Sequence, residues 1–318
     1  MPQACPTQSF TPAGYAVSRI CLGCMGLSGT WTPGDPGPEN KRRAIAAFEA
    51  ALENGINFFD HADIYGATSC ESVFKDCLAA VPGVRDRIFI ATKVGLGNGV
   101  HDLSPEHIKA GIRASLDRMG IDYADLYQLH RPDPLCDPEA TAEALDSLVE
   151  EGVIHAVGIS NYYPQQTLAL RQFLQAPIVS NQISISLMHL EPIYEGAVGG
   201  NGSGVLDQCE ELGITPLAYS PLSKGLLSGH RELPADHPDH GRATRILDTL
   251  RELGPAYGGA TPGQLALAWL LAHPAGIIPV VGSTNPAHIA EAVGATSITL
   301  SRADWYKLWV AARGERLP

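Results

Sequence analysis

The chain has 318 residues, 45% of them hydrophobic, and its 22 basic residues against 34 acidic ones give a net charge of −12. That balance argues against nucleic-acid and anionic-membrane partners, which call for a basic face, and the longest apolar runs are too short or too interrupted by Gly and Pro to span a bilayer. The opening Met1-Pro2-Gln3-Ala4-Cys5-Pro6 has neither a basic start nor an apolar stretch, so a cytoplasmic protein is expected.

From the N-terminus onward, short apolar runs alternate with amphipathic stretches. Residues 3–16 are expected to form a short hairpin under the rest of the fold. Strands are predicted near 19–22, 56–60, 88–93, 125–130, 154–159, 177–183, 214–219 and 277–281. Helices are predicted near 39–54, 69–80, 104–119, 139–151, 164–174, 204–212, 244–257 with 262–272, and 286–293. Ser104-Pro105 and Thr261-Pro262 read as helix starts, with the hydroxyl at the N-cap and Pro at the first helical position. Gly55, Gly120, Gly152 and Gly213 fall just past predicted helix ends, where a left-handed residue is favoured. The Gly-rich run 196–204 and the His-, Asp- and Pro-rich stretch 223–242 read as long loops, the second of them lid-like. The tail 301–314 reads as one more helix, capped by Ser301, with Trp305, Leu308 and Trp309 turned inward.

Eight strands, each followed by a helix, predict an α/β fold: a (β/α)8 TIM barrel with an N-terminal hairpin and an extra C-terminal helix, one domain over residues 1–318. A doubly wound sheet fits less well, because Leu22-Gly23-Cys24-Met25-Gly26-Leu27 lacks the third glycine of a dinucleotide loop and leads into Pro- and Gly-rich chain. The seven cysteines are scattered, and Cys21-x-x-Cys24 has no second pair at metal-site spacing, so they read as buried thiols. His237 and His240 read as solvated loop residues, and no metal is expected.

The strands end in polar residues of an informative kind. Ile56-Asn57-Phe58-Phe59 runs into Asp60, with Tyr65 on the loop beyond; Phe89-Ile90-Ala91-Thr92 ends in Lys93, and Leu126-Tyr127-Gln128-Leu129 in His130. The intervals between Asp60, Lys93 and His130 each suit one strand plus one helix, so a barrel would collect all four side chains on one rim. A lysine ammonium near a phenol stabilises the phenolate and is expected to lower the Tyr65 pKa, while Asp60 holds the lysine. A tyrosine so placed protonates an oxygen that is gaining negative charge, as in carbonyl reduction, but the electrons must come from a hydride donor.

At these residues the chain resembles the aldo-keto reductase family over nearly its whole length, and the runs Phe58-Phe59-Asp60-His61-Ala62-Asp63-Ile64-Tyr65-Gly66 and His130-Arg131-Pro132-Asp133-Pro134 are most similar to a bacterial branch of general oxidoreductases. The resemblance implies that Tyr65 is the general acid, that Lys93 and Asp60 tune it, and that His130 positions the substrate carbonyl. It further implies that Ser160, Asn161 and Gln182 bind the nicotinamide carboxamide, that Tyr219 stacks on the nicotinamide ring, and that Ser220, Pro221 and Leu222 approach the pyrophosphate. Gly282, Ser283, Asn285 and His288 would surround the adenosine phosphate at a helix start, with Glu291 near the adenine. Many NADPH-dependent relatives carry Lys where Gly282 stands and Arg where His288 stands. The resemblance implies NADP(H) as the favoured cofactor, and the absence of those two cations here leaves NAD(H) as the alternative.

Trp31, on the first loop, is a candidate wall of the substrate pocket; His61 and Asp63 read as packing residues beside the catalytic loop, and Tyr163 as packing on the following helix. The expected partner is a small-molecule carbonyl compound or sugar, and the expected state a monomer or weak homo-oligomer. An NAD(P)+-dependent sugar or polyol dehydrogenase and a cofactor-binding regulatory subunit are the alternative functions.

Overall fold

A computed structural model of the chain describes residues 4–10, 14–97, 99–194 and 204–316. Eight parallel strands close into a barrel: β3 (Cys21–Gly23), β4 (Phe58–Asp60), β5 (Phe89–Val94), β6 (Leu126–Leu129), β7 (Val157–Ser160), β8 (Ile178–Ser184), β9 (Thr215–Tyr219) and β10 (Ile278–Val281), with β10 pairing back to β3. Around it run α1 (Pro38–Glu53), α2 (Ser69–Ala80), α3 (Pro105–Met119), α4 (Pro138–Glu150), α5 (Pro164–Arg171), the short α6 (Glu191–Tyr194), α7 (Val205–Leu212), α8 (His240–Leu253), α9 (Pro262–Leu271), α10 (Pro286–Gly294) and the extra C-terminal helix α11 (Arg302–Arg313). The hairpin forms from β1 (Thr7–Phe10) and β2 (Tyr15–Ser18), further along than 3–16; residue 3 and residues 11–13 of that expectation lie outside the described residues. Most of the predicted Gly-rich loop, residues 196–203, also lies outside them.

Period-2 alternation decides what the barrel contains. Phe58, Phe89 and Leu126 turn inward and form, with Phe10 of the hairpin, an apolar floor; Phe10 meets the Phe58 and Phe89 rings at 5.4 Å between centroids. The intervening Phe59, Tyr127 and Leu129 turn outward into the helix layer. Further along the strands the inward positions become polar, two residues beyond Phe58 and Leu126 and four beyond Phe89, and Asp60, Lys93, Gln128, Ser160 and Gln182 are all buried above the floor. Gly158 makes room in that interior, since a Cβ there would lie 2.5 Å from Ser180 Oγ and 2.9 Å from Gln128 Cγ.

The helix signals act as the sequence suggests. Ser104, Thr261 and Ser301 accept hydrogen bonds from His107, Gln264 and Asp304 N–H groups, and Gly120 ends α3 at φ 67°. Helix α11 docks on the barrel through Leu308 and Trp309, while Trp305 stacks on Trp269 of α9 at 5.1 Å, each indole N–H donating to the other residue's carbonyl. Helix α8 starts at His240, earlier than the predicted 244, because Ala243, Ile246, Leu247 and Leu250 bury one face. His240 and His237 are thereby tied to backbone, His240 Nδ1 lying 2.9 Å from the Leu233 carbonyl and His237 Nδ1 accepting from Asp239 N–H. Tyr163 does not pack on α5; it is 60% exposed and stands at that helix's N-cap, where its N–H donates to Gln166 Oε1. No helix among the described residues is long and apolar enough to cross a membrane.

Candidate active site

A cavity of about 780 Å³ opens at the C-terminal ends of the barrel strands and runs from Trp31 and Tyr65 past Gln182 and Tyr219 to His288 and Glu291. Its size and mixed lining suit a ligand larger than a single sugar.

Lys93 organises the deep end. Its ammonium has three hydrogens, and all three are used: Asp60 Oδ2 accepts at 2.7 Å, the His61 carbonyl at 2.8 Å and Tyr65 OH at 3.1 Å. Asp60 Oδ1 accepts from Gln128 Nε2 at 3.1 Å and from Gln182 Nε2 at 2.9 Å. Because the Tyr65 oxygen accepts from Lys93, its own proton is left for the cavity, which Tyr65 lines together with His130. The Tyr65 and His130 rings meet edge to face at 6.0 Å. The four expected residues are therefore brought together.

The electrostatics depart from expectation in one respect. Lys93 does not bring Tyr65 below its ordinary value: burial pushes the phenol up to about 12, and the Lys93 charge offsets only part of that. Tyr65 is thus a neutral phenol, carrying its proton throughout the neutral range. Lys93 itself is raised, because desolvation is outweighed by Asp60 and Tyr65. His130 is lowered to about 3, first by burial and then by Lys93 and Arg131, so it faces the cavity as a neutral imidazole.

The loop that presents Tyr65 is held from behind. Cys70 N–H donates to the Tyr65 carbonyl, and Gly66, at φ 57°, sits where a Cβ would collide with Ser28, Ser69 and Cys70. The fully buried Glu71, in the first turn of α2, accepts from Thr92 Oγ1 at 2.6 Å and from Arg118 Nε at 2.7 Å, which ties α2 to β5 and α3. Sequence reasoning missed Glu71 and Gln128. The available signals were a carboxylate on the buried face of a helix just after Tyr65 and an amide at an inward strand position.

His61 packs against Phe74 at 4.3 Å, and neither of its ring nitrogens meets a partner among the described residues. Burial, followed by the Lys93 charge, lowers it to about 3. An unfolded histidine titrates near 6.5, so between that pH and about 3 the unfolded chain takes up a proton that His61 refuses, and stability falls as pH falls. Asp63, raised to about 7 by burial and by Glu71, works in the opposite sense, adding stability as pH falls through 7. In His61→Leu, urea unfolding between pH 6.5 and 4 should show a loss of stability shallower than wild type by about 1.4 kcal/mol per pH unit. Parallel slopes would mean that His61 is protonated in the fold.

Toward the other end, Ser160, Asn161, Gln182 and Tyr219 line the wall. Tyr219 OH donates to Asn161 Oδ1 at 3.0 Å, Asn161 Nδ2 donates to Ser160 Oγ at 3.0 Å, and Ser160 Oγ donates to the Gln182 carbonyl at 2.8 Å. Ser220, Pro221, Leu222, Gly282, Ser283, His288 and Glu291 line the remainder, whereas Asn285 does not. Its Oδ1 caps α10 by accepting from Ala287 N–H at 3.0 Å. Asn161, Ser220, Ser223 and Lys224 all have positive φ, a conformation that costs non-glycine residues energy and gathers at functional sites. Met25, Ile64, Arg131, Lys224, Ser228 and His230 join the lining without having been singled out in the sequence. Trp31, 58% exposed, lines the same cavity as Tyr65.

This elongated cavity fits a nicotinamide dinucleotide on the chain's own features. Amide and hydroxyl groups stand beside Tyr65 at one end, and Gly282, whose missing side chain leaves open space, lies just before the α10 N-terminus at the other.

Comparison with known proteins agrees. The family description "Aldo/keto reductase family" matches residues 19–310. A 6-dehydroglucose reductase of Novosphingobium aromaticivorans is 38% identical over 314 residues, covering 96% of this chain and 95% of that protein. A 6-dehydroglucose reductase of Agrobacterium fabrum is 35% identical over 299 residues, covering 91% and 94%. Among solved structures, the thermostable aldo-keto reductase Tm1743, crystallised with the inhibitor epalrestat, superposes with a TM-score of 0.79 at 25% identity, over 96% of this chain and 99% of that one. With the barrel, the Asp60-Lys93-Tyr65-His130 constellation and these relatives in agreement, the chain belongs to the aldo/keto reductase family and is an NAD(P)-dependent oxidoreductase.

Proposed function

We propose that the protein reduces the aldehyde of a sugar to the alcohol, using NADPH in preference to NADH, with Tyr65 as the proton donor. The observation that carries this reading is the hydrogen-bonding of Lys93: with every ammonium hydrogen engaged and Tyr65 OH accepting, the phenolic proton is left to the cavity. The bound nucleotide supplies the hydride. The residues of the chain do the rest. His130 and Tyr65 both line the deep end, where they can hydrogen-bond the same carbonyl oxygen, and Tyr65 transfers its proton as charge grows there. Lys93 stabilises the phenolate left behind, and Asp60 balances the lysine. Ser160, Asn161 and Gln182 would hold the carboxamide, Tyr219 the nicotinamide face, and Ser220 to Leu222 the pyrophosphate.

The substrate assignment draws on two relatives named 6-dehydroglucose reductases and on the rim. The Trp31 indole offers a flat apolar face to a pyranose ring, and Arg131 offers donors to its hydroxyls. Loss of nicotinamide absorbance with 6-dehydroglucose and with an activated aromatic aldehyde tests this. Turnover of both is expected, with kcat/KM at least tenfold higher for the sugar aldehyde. Turnover of the aromatic aldehyde alone would overturn the sugar assignment, and turnover of neither, with nucleotide bound, would overturn the reductase reading.

A further inference from the structure

Two histidines from opposite walls meet at the far end of the cavity. His230, in the turn-rich segment after β9, stacks on His288 of α10, with centroids 4.5 Å apart and planes 16° from parallel. Both line the cavity. Each ring is oriented by a serine through Nδ1, His230 by Ser228 Oγ at 3.2 Å and His288 by Ser283 Oγ at 3.4 Å. Neither Nε2 has a partner among the described residues. Beside them Gly282 leaves its surroundings open, with no atom within 4 Å of where its Cβ would lie. The charged groups around the pair are Lys224 and Arg231 of the same segment, Glu291 of α10 and Arg251 of α8. Glu291 is occupied by Thr261 Oγ1 at 2.5 Å, and Arg251, which lies 3.8 Å from where a Gly229 Cβ would be, pairs with Asp248 at 3.3 Å. Lys224 lines the cavity and makes no ion pair among the described residues.

We propose that the His230–His288 pair recognises the phosphomonoester on the adenosine ribose of the nucleotide, and that it does so by taking up protons, so that selectivity for the phosphorylated nucleotide rises as pH falls. The inference rests on the nicotinamide-nucleotide reading above. Imidazole changes charge in the neutral range, and two stacked imidazoles resist carrying two positive charges because the charges repel. A phosphate dianion set against both rings removes that penalty and gains charge-assisted hydrogen bonds. Lys224 is charged throughout, so it supplies attraction that does not vary with pH; the histidines supply the increment that does. An arginine or lysine at these positions would fix the selectivity, whereas a histidine pair makes it follow proton activity.

The test is isothermal titration of the wild-type protein with NADP+ and with NAD+, at pH 6.5 and 8.5, in buffers of different ionisation enthalpy. The second ionisation of a phosphomonoester lies near pH 6, below this window. The expected result is a selectivity for NADP+ about five- to tenfold larger at the lower pH, as an uptake averaging roughly half a proton across two pH units gives. Proton uptake should accompany NADP+ but not NAD+, and the double variant His230→Gln/His288→Gln should lose the pH dependence. Binding of both nucleotides with a pH-independent ratio and equal proton uptake would overturn the role of the pair while leaving the oxidoreductase reading intact. Failure of either nucleotide to bind would overturn both.

Discussion

Tyr65→Phe is expected to lower turnover by about 10³-fold or more while nucleotide affinity stays within a few-fold of wild type. Positioned proton transfer contributes on the order of 10² to 10⁴ in rate, and here the phenol is the group whose proton has no protein acceptor. The phenylalanine ring keeps the packing of the original and its edge-to-face contact with His130. The loss is therefore chemical, and the circular dichroism spectrum should be unchanged. Burial, which pushes Tyr65 up to about 12, adds a second signature. The phenol stays protonated through pH 6 to 9, so the reductive rate should show no alkaline fall in that range from loss of this proton. Residual turnover above about a tenth of wild type in the variant, or lost nucleotide binding with retained turnover, would remove Tyr65 from the role assigned to it.

Lys93→Met should be damaging twice over. It removes a fully buried ammonium and leaves Asp60, also buried, with only the Gln128 and Gln182 amides as donors among the described residues. Breaking a buried ion pair by deleting one partner costs about 3–5 kcal/mol, because the survivor keeps its desolvation penalty without compensation. The melting temperature should fall by several degrees, and turnover should drop to background, since no charge then stabilises the developing phenolate. Adding Asp60→Asn separates the two effects. Neutralising the stranded carboxylate is expected to restore much of the lost stability and none of the activity, as calorimetry and nucleotide oxidation would show side by side. A single variant that melts like wild type would mean that the pair contributes no stability, and a double variant that regains turnover would mean that Lys93 acts only as a prop.

Most of the barrel was legible because its strands are buried on both faces and so read as near-continuous apolar runs, each broken by a polar residue. Phe89-Ile90-Ala91-Thr92-Lys93 is such a run, and the barrel places its terminal lysine 2.7 Å from the aspartate that ends Phe58-Phe59-Asp60. Helix α8 was harder to delimit. Pro238 and Gly241 look like helix breakers, and only its packing against α11 carries the start back to His240. The site was legible where one side chain sufficed and obscure where two had to meet. Nothing in sequence joins Gln128 to Gln182 through Asp60, or His230 to His288, since each pair is assembled by strands and loops distant along the chain. The direction of the Tyr65 shift was hidden for a related reason: residue types reveal the lysine's charge, but the desolvation that outweighs it depends on how completely the loop is enclosed.

The seam of the barrel bears on how the chain comes to be folded. Strand β3 joins β4 and β10 through only two residue pairs each, Cys21 with Val280 and Leu22 with Val281 on the β10 side. During synthesis β3 must wait for nearly all of the other strands before it gains that second neighbour, and until then its outer edge and that of the growing sheet remain open to wrong pairings. Contacts of such long sequence separation form late. Gly23 stands on one side of the seam and Gly282 and Ser283 on the other, all three in the cavity wall. The ligand site is thus completed by the same late event that shuts the barrel, so a nascent chain acquires its ability to bind only when it stops being prone to aggregate.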